Sequence, residues 1–345
     1  MNKDILSVIM CPRTKESLSI CDDNEVDKIL RNTEHKEKAY LINESKTFLY
    51  KVSHHGFPIL LPEEAIDISN IADQNDLSDF KVHRQDLENV YKKIDFDKNP
   101  FADSSESFLY WRTAITKPLV DNLIPGDILD AGGGFGFFRR FSKGRFHLNI
   151  DVSENMLSYD PSDEKILGRS EKMPIQNNSF DNVLSVGSIE HCEDVRETLS
   201  ELIRCLKPGG RLLVACYSDD WPAILKNTVW GLTYYNYLLE TYREMFKQNP
   251  SLLIQYAFYK LKIRKKKPDE SFKPLWGGEE AGKINVRTFN MNYLEKLFTE
   301  LDVKVLKKGR CGKNFPGQIP PPRSIIERCF DPMKYGQYLF FVCSK

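Results

Sequence analysis

The stretch Asp127-Ile128-Leu129-Asp130-Ala131-Gly132-Gly133-Gly134-Phe135-Gly136-Phe137-Phe138 constrains the chain more than any other. A short apolar run meets an acid and then a glycine cluster, which reads as a buried strand, a turn and a helix carrying Phe137, Phe138 and Phe141 on its apolar face. Glycine is required where backbone takes φ > 0 or approaches a ligand with no Cβ in between. Gly132, Gly134 and Gly136 alternate and predict a flat peptide floor for a nucleotide-like ligand. Asp130 stands at the carboxyl end of the strand, where open α/β sheets bind their ligands. A dinucleotide loop requires G-x-G-x-x-G, and counting from Gly132 the third glycine position falls on Phe137. An acid at the strand end also sits badly beside a pyrophosphate. It suits a ligand bearing an ammonium and a sulfonium.

Residues 146–151 read as a second strand ending in Asp151, the residue type that accepts hydrogen bonds from ribose hydroxyls. The chain continues Val152-Ser153-Glu154-Asn155-Met156-Leu157. Ser170-Glu171-Lys172-Met173-Pro174-Ile175 and Ser179-Phe180-Asp181 lead into a fourth strand, 182–186, followed by Gly187-Ser188-Ile189-Glu190-His191. A helix with Leu199, Leu202, Ile203 and Leu206 at helical spacing stops at Lys207-Pro208-Gly209-Gly210, and 211–215 is a fifth strand. In this order the segments resemble the motifs of Rossmann-like (class I) S-adenosylmethionine-dependent methyltransferases, type 11-like. L-D-A-G-G-G-F-G is similar to motif I, the run from Asp151 to Leu157 to the family's D-x-S-x-x-M-L, the next segment to A-E-x-L-P-F with S-F-D, and Ile189-Glu190-His191 to its L-E-H signature.

The resemblance implies an α/β fold built on a seven-stranded Rossmann-like sheet, with S-adenosylmethionine as cofactor. It places Asp130, Gly132, Gly134, Gly136 and Gly187 beside the donor, Asp151 at the ribose, and Val152 and Met156 along the adenine. Arg169 stands where many relatives carry an acid for the adenine amino group, so adenine recognition falls to the backbone of Ser170 and Glu171. His191, just past the fourth strand, is the candidate general base, with a hydrogen-bonding role at the strand end as the alternative. Glu190 reads as a structural brace. Some quinone-pathway relatives hold a divalent metal through E-x-x-E-H; Gly187 occupies the first acidic position here, and no metal is expected.

Residues 1–65 read as a small β-rich domain similar to the zinc-ribbon-like activator subunit that partners tRNA, rRNA and release-factor methyltransferases. The positions of that ribbon's cysteine pairs fall on Cys11 with Thr14 and Asn43 with Lys46, which supply one thiolate and a cation. Such a set does not make a tetrahedral zinc site, and none is expected. Leu6, Ile9, Leu18, Leu41, Phe48, Tyr50 and Ile59 are expected to hold its hairpins. His54 and His55 invite a metal reading, but adjacent side chains on a strand point opposite ways, and a polar turn before Gly56 is the favoured reading. If the likeness holds, this unit covers a free sheet edge, with 165–167 as the candidate strand.

Residues 66–106 read as a charged linker with one exposed helix, and 107–345 as the methyltransferase domain. Tyr110, Trp111 and Arg112 open that domain as pocket candidates, packing being the other reading. The stretch 218–285 reads as a helical insertion rich in tyrosine and ending near a basic run, 260–267. Three readings stand: a lid over the acceptor, peripheral membrane contact through 228–267, or helices packed on one another. A helix over 291–301 carries an Asn292/Glu295 capping pair. Strands at 303–306 and 338–342 close the sheet, and a loop with Pro316, Pro320, Pro321 and Pro322 is long enough to wall an acceptor pocket.

Composition narrows the partners. Lys plus Arg number 49 and Asp plus Glu 49 in 345 residues, so no net charge draws nucleic acid, which is not the expected partner. No apolar run approaches the ~18–20 residues of a membrane span, and 5–10 is too short for a signal core. Eight scattered cysteines with no C-x-x-C, among them Cys205 and Cys216 on apolar faces, predict reduced thiols in a cytoplasmic protein.

The resulting expectation is an S-adenosylmethionine-dependent methyltransferase acting on a small-molecule, sugar-linked or lipid-linked acceptor. In-line alignment alone supplies ~7–11 kcal/mol of such a barrier, and a base adds about 10²–10⁴-fold where the acceptor must lose a proton. An RNA or protein methyltransferase with an activator fused in cis is one alternative, and would show affinity falling steeply with salt. A catalytically inactive binding protein is another; the intact Asp130, glycine loop and Asp151 argue against it.

Overall fold

A computed structural model describes residues 3–30, 39–69, 116–218, 270–274, 285–311 and 338–345, which form two larger sheets and one two-stranded pair. The linker helix, Tyr110, Trp111 and Arg112, the aromatic and basic parts of the insertion, and the proline-rich loop lie outside the described residues.

The first sheet is antiparallel, in the order β1 (Leu18–Ile20), β2 (Ala39–Asn43), β3 (Phe48–Val52) and β4 (Ile66–Asp67), preceded by α1 (Lys3–Val8) and carrying α2 (Asp23–Leu30) between β1 and β2. Because β4 pairs with β3 through Phe48 and Leu49, this sheet runs past residue 65, where the linker was expected to start. Ile9, Leu18, Leu41, Tyr50 and Ile59 are buried as expected; Leu6 and Phe48 are only partly so.

The turns at the zinc-ribbon positions are held by hydrogen bonds. Asn43 Oδ1 accepts from the backbone of Thr47 (2.9 Å) and Phe48 (2.7 Å), and its Nδ2 donates to Ser45 and Thr47 hydroxyls, both at 2.9 Å. The Cys11 thiol lies 3.1 Å from the Tyr50 hydroxyl and accepts from Thr14 N. Lys46 pairs with Glu25. His54 and His55 lie in the turn that the sequence reading favoured; off a strand, their rings are not forced apart and lie 3.7 Å from each other.

The second sheet has seven strands, in the order β12 (Lys304–Cys311), β13 (Tyr338–Ser344), β9 (Leu206–Tyr217), β8 (Phe180–Val186), β5 (Ile128–Ala131), β6 (His147–Asp151), β7 (Lys165–Leu167). Neighbours from β9 to β7 are parallel, and β13 runs antiparallel to both of its partners. Its central strands are buried on both faces, as near-continuous apolar runs such as Leu212–Cys216 and Leu339–Cys343 demand. The helices α4 (Val195–Cys205) and α5 (Met291–Glu300) place Leu199, Leu202, Leu294, Leu297 and Phe298 against one face.

The two sheets share one core. Ile5, Ile9, Leu41, Tyr50 and Leu60 from the first pack in the same apolar cluster as Leu129, Ile150, Ile166, Met173 and Leu199 from the second. The backbone joins them as well: Leu60 N donates to Leu167 O (2.8 Å) and Leu167 N to Pro58 O (2.9 Å), so Pro58–Leu60 covers β7, the edge that the sequence singled out. Met10 N to Pro174 O and Gln176 N to Val8 O join the N-terminal unit to the segment between β7 and β8 as well.

Three elements differ from expectation. Phe137–Phe141 is a short 3-10 helix, because Gly136 enters it in the left-handed region and Lys143 and Gly144, both at positive φ, end it within a turn. Glu270–Pro274 (β10), inside the stretch expected to be helical, is a strand paired antiparallel with Asn285–Phe289 (β11). Ser271, Phe272, Lys273 and Pro274 offer no apolar helical stripe, so strand pairing wins there. The cap of α5 is Asn290, whose side chain accepts from Asn292 N, and not Asn292 itself. Among the described residues no helix is long and apolar enough to cross a membrane.

Candidate active site

The carboxyl ends of β5, β6, β7 and β8 converge on the glycine loop. Parallel register sets Asp130 opposite Asn149 and Asp151 opposite Leu167, so the two acids expected at the site stand at the same end of adjacent strands. Gly132, Gly134 and Gly136 all adopt positive φ, at 73°, 56° and 75°. The floor is not bare, however. A Cβ on Gly132 would meet Ser188 Oγ at 2.1 Å, one on Gly134 would meet Met156 Cε at 2.8 Å, and one on Gly136 would meet the Asp160 carboxyl at 2.6 Å. The space the glycines leave is filled in part by the chain's own side chains.

The loop's amides decide what it can bind. Gly132 N and Gly133 N both point to Ile150 O (2.7 and 3.3 Å), Gly136 N to Gly133 O (3.0 Å), and Gly134 N to Asp151 Oδ2 (2.9 Å). A phosphate-binding loop keeps its N–H groups aimed at the ligand. Here these four are committed within the protein, while Asp130, Asp151 and Glu171 contribute carboxylates. That donor set fits a cationic ligand and does not fit a pyrophosphate, so the residues present fit S-adenosylmethionine.

Asp151 holds the loop with one oxygen and accepts from Ser153 N (2.9 Å) with the other. Ser153 in turn caps the short helix α3 (Glu154–Ser158), on which Met156 is partly exposed, as is Val152. Ser170 and Glu171 lie buried in a 3-10 turn after β7, and Glu171 Oε1 accepts from Glu193 N (2.9 Å), tying that turn to the start of α4. Gly187 has a positive φ of 68° and donates its N–H to Ala215 O. His191 ends the 3-10 turn Ile189–His191 and is partly exposed, whereas Glu190 is buried. Arg287, on β11, donates to Glu193 O (2.6 Å), so the strand that ends the insertion lies beside the His191 turn. Among the described residues no cluster of His, Cys, Asp and Glu side chains is arranged to hold a metal ion.

Asp130 is the residue whose surroundings differ most from the sequence reading. It is 1% exposed, and a Cβ on Gly133 would lie 2.6 Å from its Cγ and Oδ2, so the carboxylate sits beneath the loop and not on its surface.

A buried polar network under the loop was not read from the sequence. Asn149 Nδ2 donates to Gly134 O (2.8 Å) and to Asp160 Oδ2 (2.9 Å). Arg139 holds Asp160 (3.2 Å) and Glu164 (2.9 Å). The Lys165 ammonium, which burial pulls below its usual range, donates to Leu157 O (3.0 Å) and Asp160 O (2.6 Å) and stands 5.5 Å from the Phe57 ring of the N-terminal unit. The only sequence signal for these residues was polar identity inside apolar strands, at Asn149 and Lys165.

Comparison with known proteins finds relatives of this chain. The profile of a family described as a methyltransferase domain matches residues 129–214. A demethylmenaquinone methyltransferase of Corynebacterium glutamicum (strain R) is 30% identical over 191 residues, covering 48% of this chain and 80% of that protein. A malonyl-[acyl-carrier protein] O-methyltransferase of Methylococcus capsulatus is 30% identical over 126 residues, 32% of this chain and 46% of its own length. The solved structure of Burkholderia thailandensis 1,6-didemethyltoxoflavin-N1-methyltransferase aligns over 77% of this chain and 88% of that one, at 14% identity and a TM-score of 0.44.

Proposed function

The chain belongs to the S-adenosylmethionine-dependent methyltransferases of the Rossmann-like class I fold, and from that premise we propose that it methylates a small-molecule, sugar-linked or lipid-linked acceptor. The observation that carries this reading is the pair of relatives named above, one acting on demethylmenaquinone and the other on a malonyl group held by acyl-carrier protein. Neither acceptor is a nucleic acid, and the chain's zero net charge offers no counterweight to a phosphate backbone.

The cofactor supplies a methyl group on a sulfonium; the chain supplies position. In this reading Gly132, Gly134, Gly136 and Gly187 border the donor, with Asp130 beneath them providing negative charge. Asp151 keeps lone pairs for ribose hydroxyls while it holds Gly134. Val152 and Met156 line the adenine, and the backbone of Ser170 and Glu171 reads its edge. In this reading His191 takes a proton from the acceptor, where the acceptor has one to lose. His191→Asn is then expected to lower kcat by about 10²–10⁴-fold while affinity for S-adenosylhomocysteine stays the same, because a base acts on the acceptor alone.

The test of acceptor class is transfer of tritiated methyl from S-adenosylmethionine into fractionated cell extract by the full chain. Label in the lipid or low-mass fraction supports the proposal. Label confined to RNA, or to protein from which thioester cleavage does not release it, overturns it in favour of a polymer-modifying enzyme.

A further inference from the structure

His147 opens β6 at 0% exposure, and among the described residues neither of its ring nitrogens has a hydrogen-bond partner. The Oδ2 atom of Asp130, in a side chain just as deeply buried, has none either. His147 Nε2 and Asp130 Oδ2 face one another at 3.6 Å. That gap is too long for a hydrogen bond and short enough for an ion pair. Unpaired buried polar groups are rare because each carries a desolvation penalty, so two of them face to face call for a reason.

The other charges around His147 are already matched. Arg139, from the turn after the glycine loop, donates to the His147 carbonyl (2.9 Å) and pairs with Asp160 and Glu164. Glu164, just before β7, accepts from His147 N (3.2 Å). Among the described residues, Asp130 on β5 is the acid that faces the imidazole itself.

We propose that His147 is a positioning residue for Asp130 and acts as a proton-operated control on donor affinity. With the imidazole neutral, Asp130 presents a whole negative charge beneath Gly133. When the imidazole takes a proton the pair closes, and the net charge under the loop falls to zero. A cationic donor then loses its electrostatic partner. Linkage requires the converse too: donor binding opposes protonation of His147. The effect is larger for S-adenosylmethionine, which carries a sulfonium, than for S-adenosylhomocysteine, which does not. This inference rests on the reading of Asp130 as the donor's counter-charge.

The experiment is calorimetric titration of the full chain with each of these two ligands, over the span from about pH 8 to about pH 5.5 in which imidazoles change charge. Wild type is expected to lose roughly tenfold in S-adenosylmethionine affinity across that span, and less for S-adenosylhomocysteine. His147→Gln is expected to flatten both profiles. If His147→Gln keeps the wild-type slope, the inference falls. Asp130→Asn separates the two readings: unchanged donor affinity at the alkaline end removes Asp130 from the site altogether, whereas reduced affinity with an intact slope in His147→Gln removes only His147. The wild-type protein gives an answer independent of any variant's folding. The His147 ring signal followed by NMR should protonate at lower pH with S-adenosylmethionine bound, and an unmoved titration overturns the proposal.

Discussion

Gly132 shows how much one missing Cβ carries. Its φ of 73° strains any L side chain by about 1–2 kcal/mol, and Ser188 Oγ already occupies the place a Cβ would take. Gly132→Ala is therefore expected to lower S-adenosylhomocysteine affinity at least tenfold and to reduce Tm; adding Ser188→Gly relieves the clash but not the backbone strain, so a double-mutant cycle by calorimetry and thermal melting should show partial recovery. Thiol chemistry is a second test at this scale. Burial pushes the thiols of Cys205, Cys311 and Cys343 up to about 12, so in the native protein near neutral pH they should resist a disulfide reagent that labels them on unfolding, as a timed mass-spectrometric assay would show. The glycines, Asp130 and Asp151 were legible in the sequence because a backbone requirement and a strand-end acid are local signals. Ser188, Asp160 and Arg139 were not, because each acquires its place only when distant strands align. The burial of Asp130 escaped for the same reason, since it depends on how the loop folds back over β5.

Elements are joined across the two sheets by a small set of contacts whose pH behaviour follows from their charges. Lys15, on the N-terminal unit, reaches Glu201 on α4 at 3.1 Å, and Arg204 grips the same carboxylate at 2.8 Å. Burial pushes the Glu201 carboxyl up, but the hydrogen bonds and charge of Arg204, with Lys15 behind them, outweigh it and hold the group below its ordinary value. A depressed carboxyl contributes stability that is whole above its unfolded value and is lost as pH falls through the folded one. Glu201→Gln should thus lower unfolding free energy by about 1–2 kcal/mol at neutral pH, with the gap from wild type closing below about pH 4 in urea melts. At this scale the successive strands, and 165–167 as an edge, were readable from the order of the motifs. The 3-10 turn after the loop was not, since Phe137, Phe138 and Phe141 fit either helix and only the left-handed residues flanking them stop it. Strand β10 was hidden because five residues without apolar periodicity say nothing until a partner strand lies alongside.

Among the described residues one apolar cluster spans both sheets, so heat or urea should unfold these parts together. Near-UV circular dichroism, which reports the N-terminal Tyr50 among others, and far-UV signal should give coincident transitions, while separate ones would show that the small sheet is an independent unit. Removing residues 1–69 should bare Leu167, Met173 and Ile175 along with the β7 edge, and the remainder is expected to aggregate in light scattering. The position of β13 has a temporal consequence. Tyr338–Ser344 follows every other described strand in the chain, yet it lies between β12 and β9, and its alternate side chains enter both faces: Leu339, Phe341 and Cys343 on one, Tyr338, Phe340 and Val342 on the other. While the ribosome is still making the polypeptide, the flank of β9 waits open and neither hydrophobic layer can be finished. The nascent protein must then be kept from its neighbours until that last strand emerges and slides into the slot left for it.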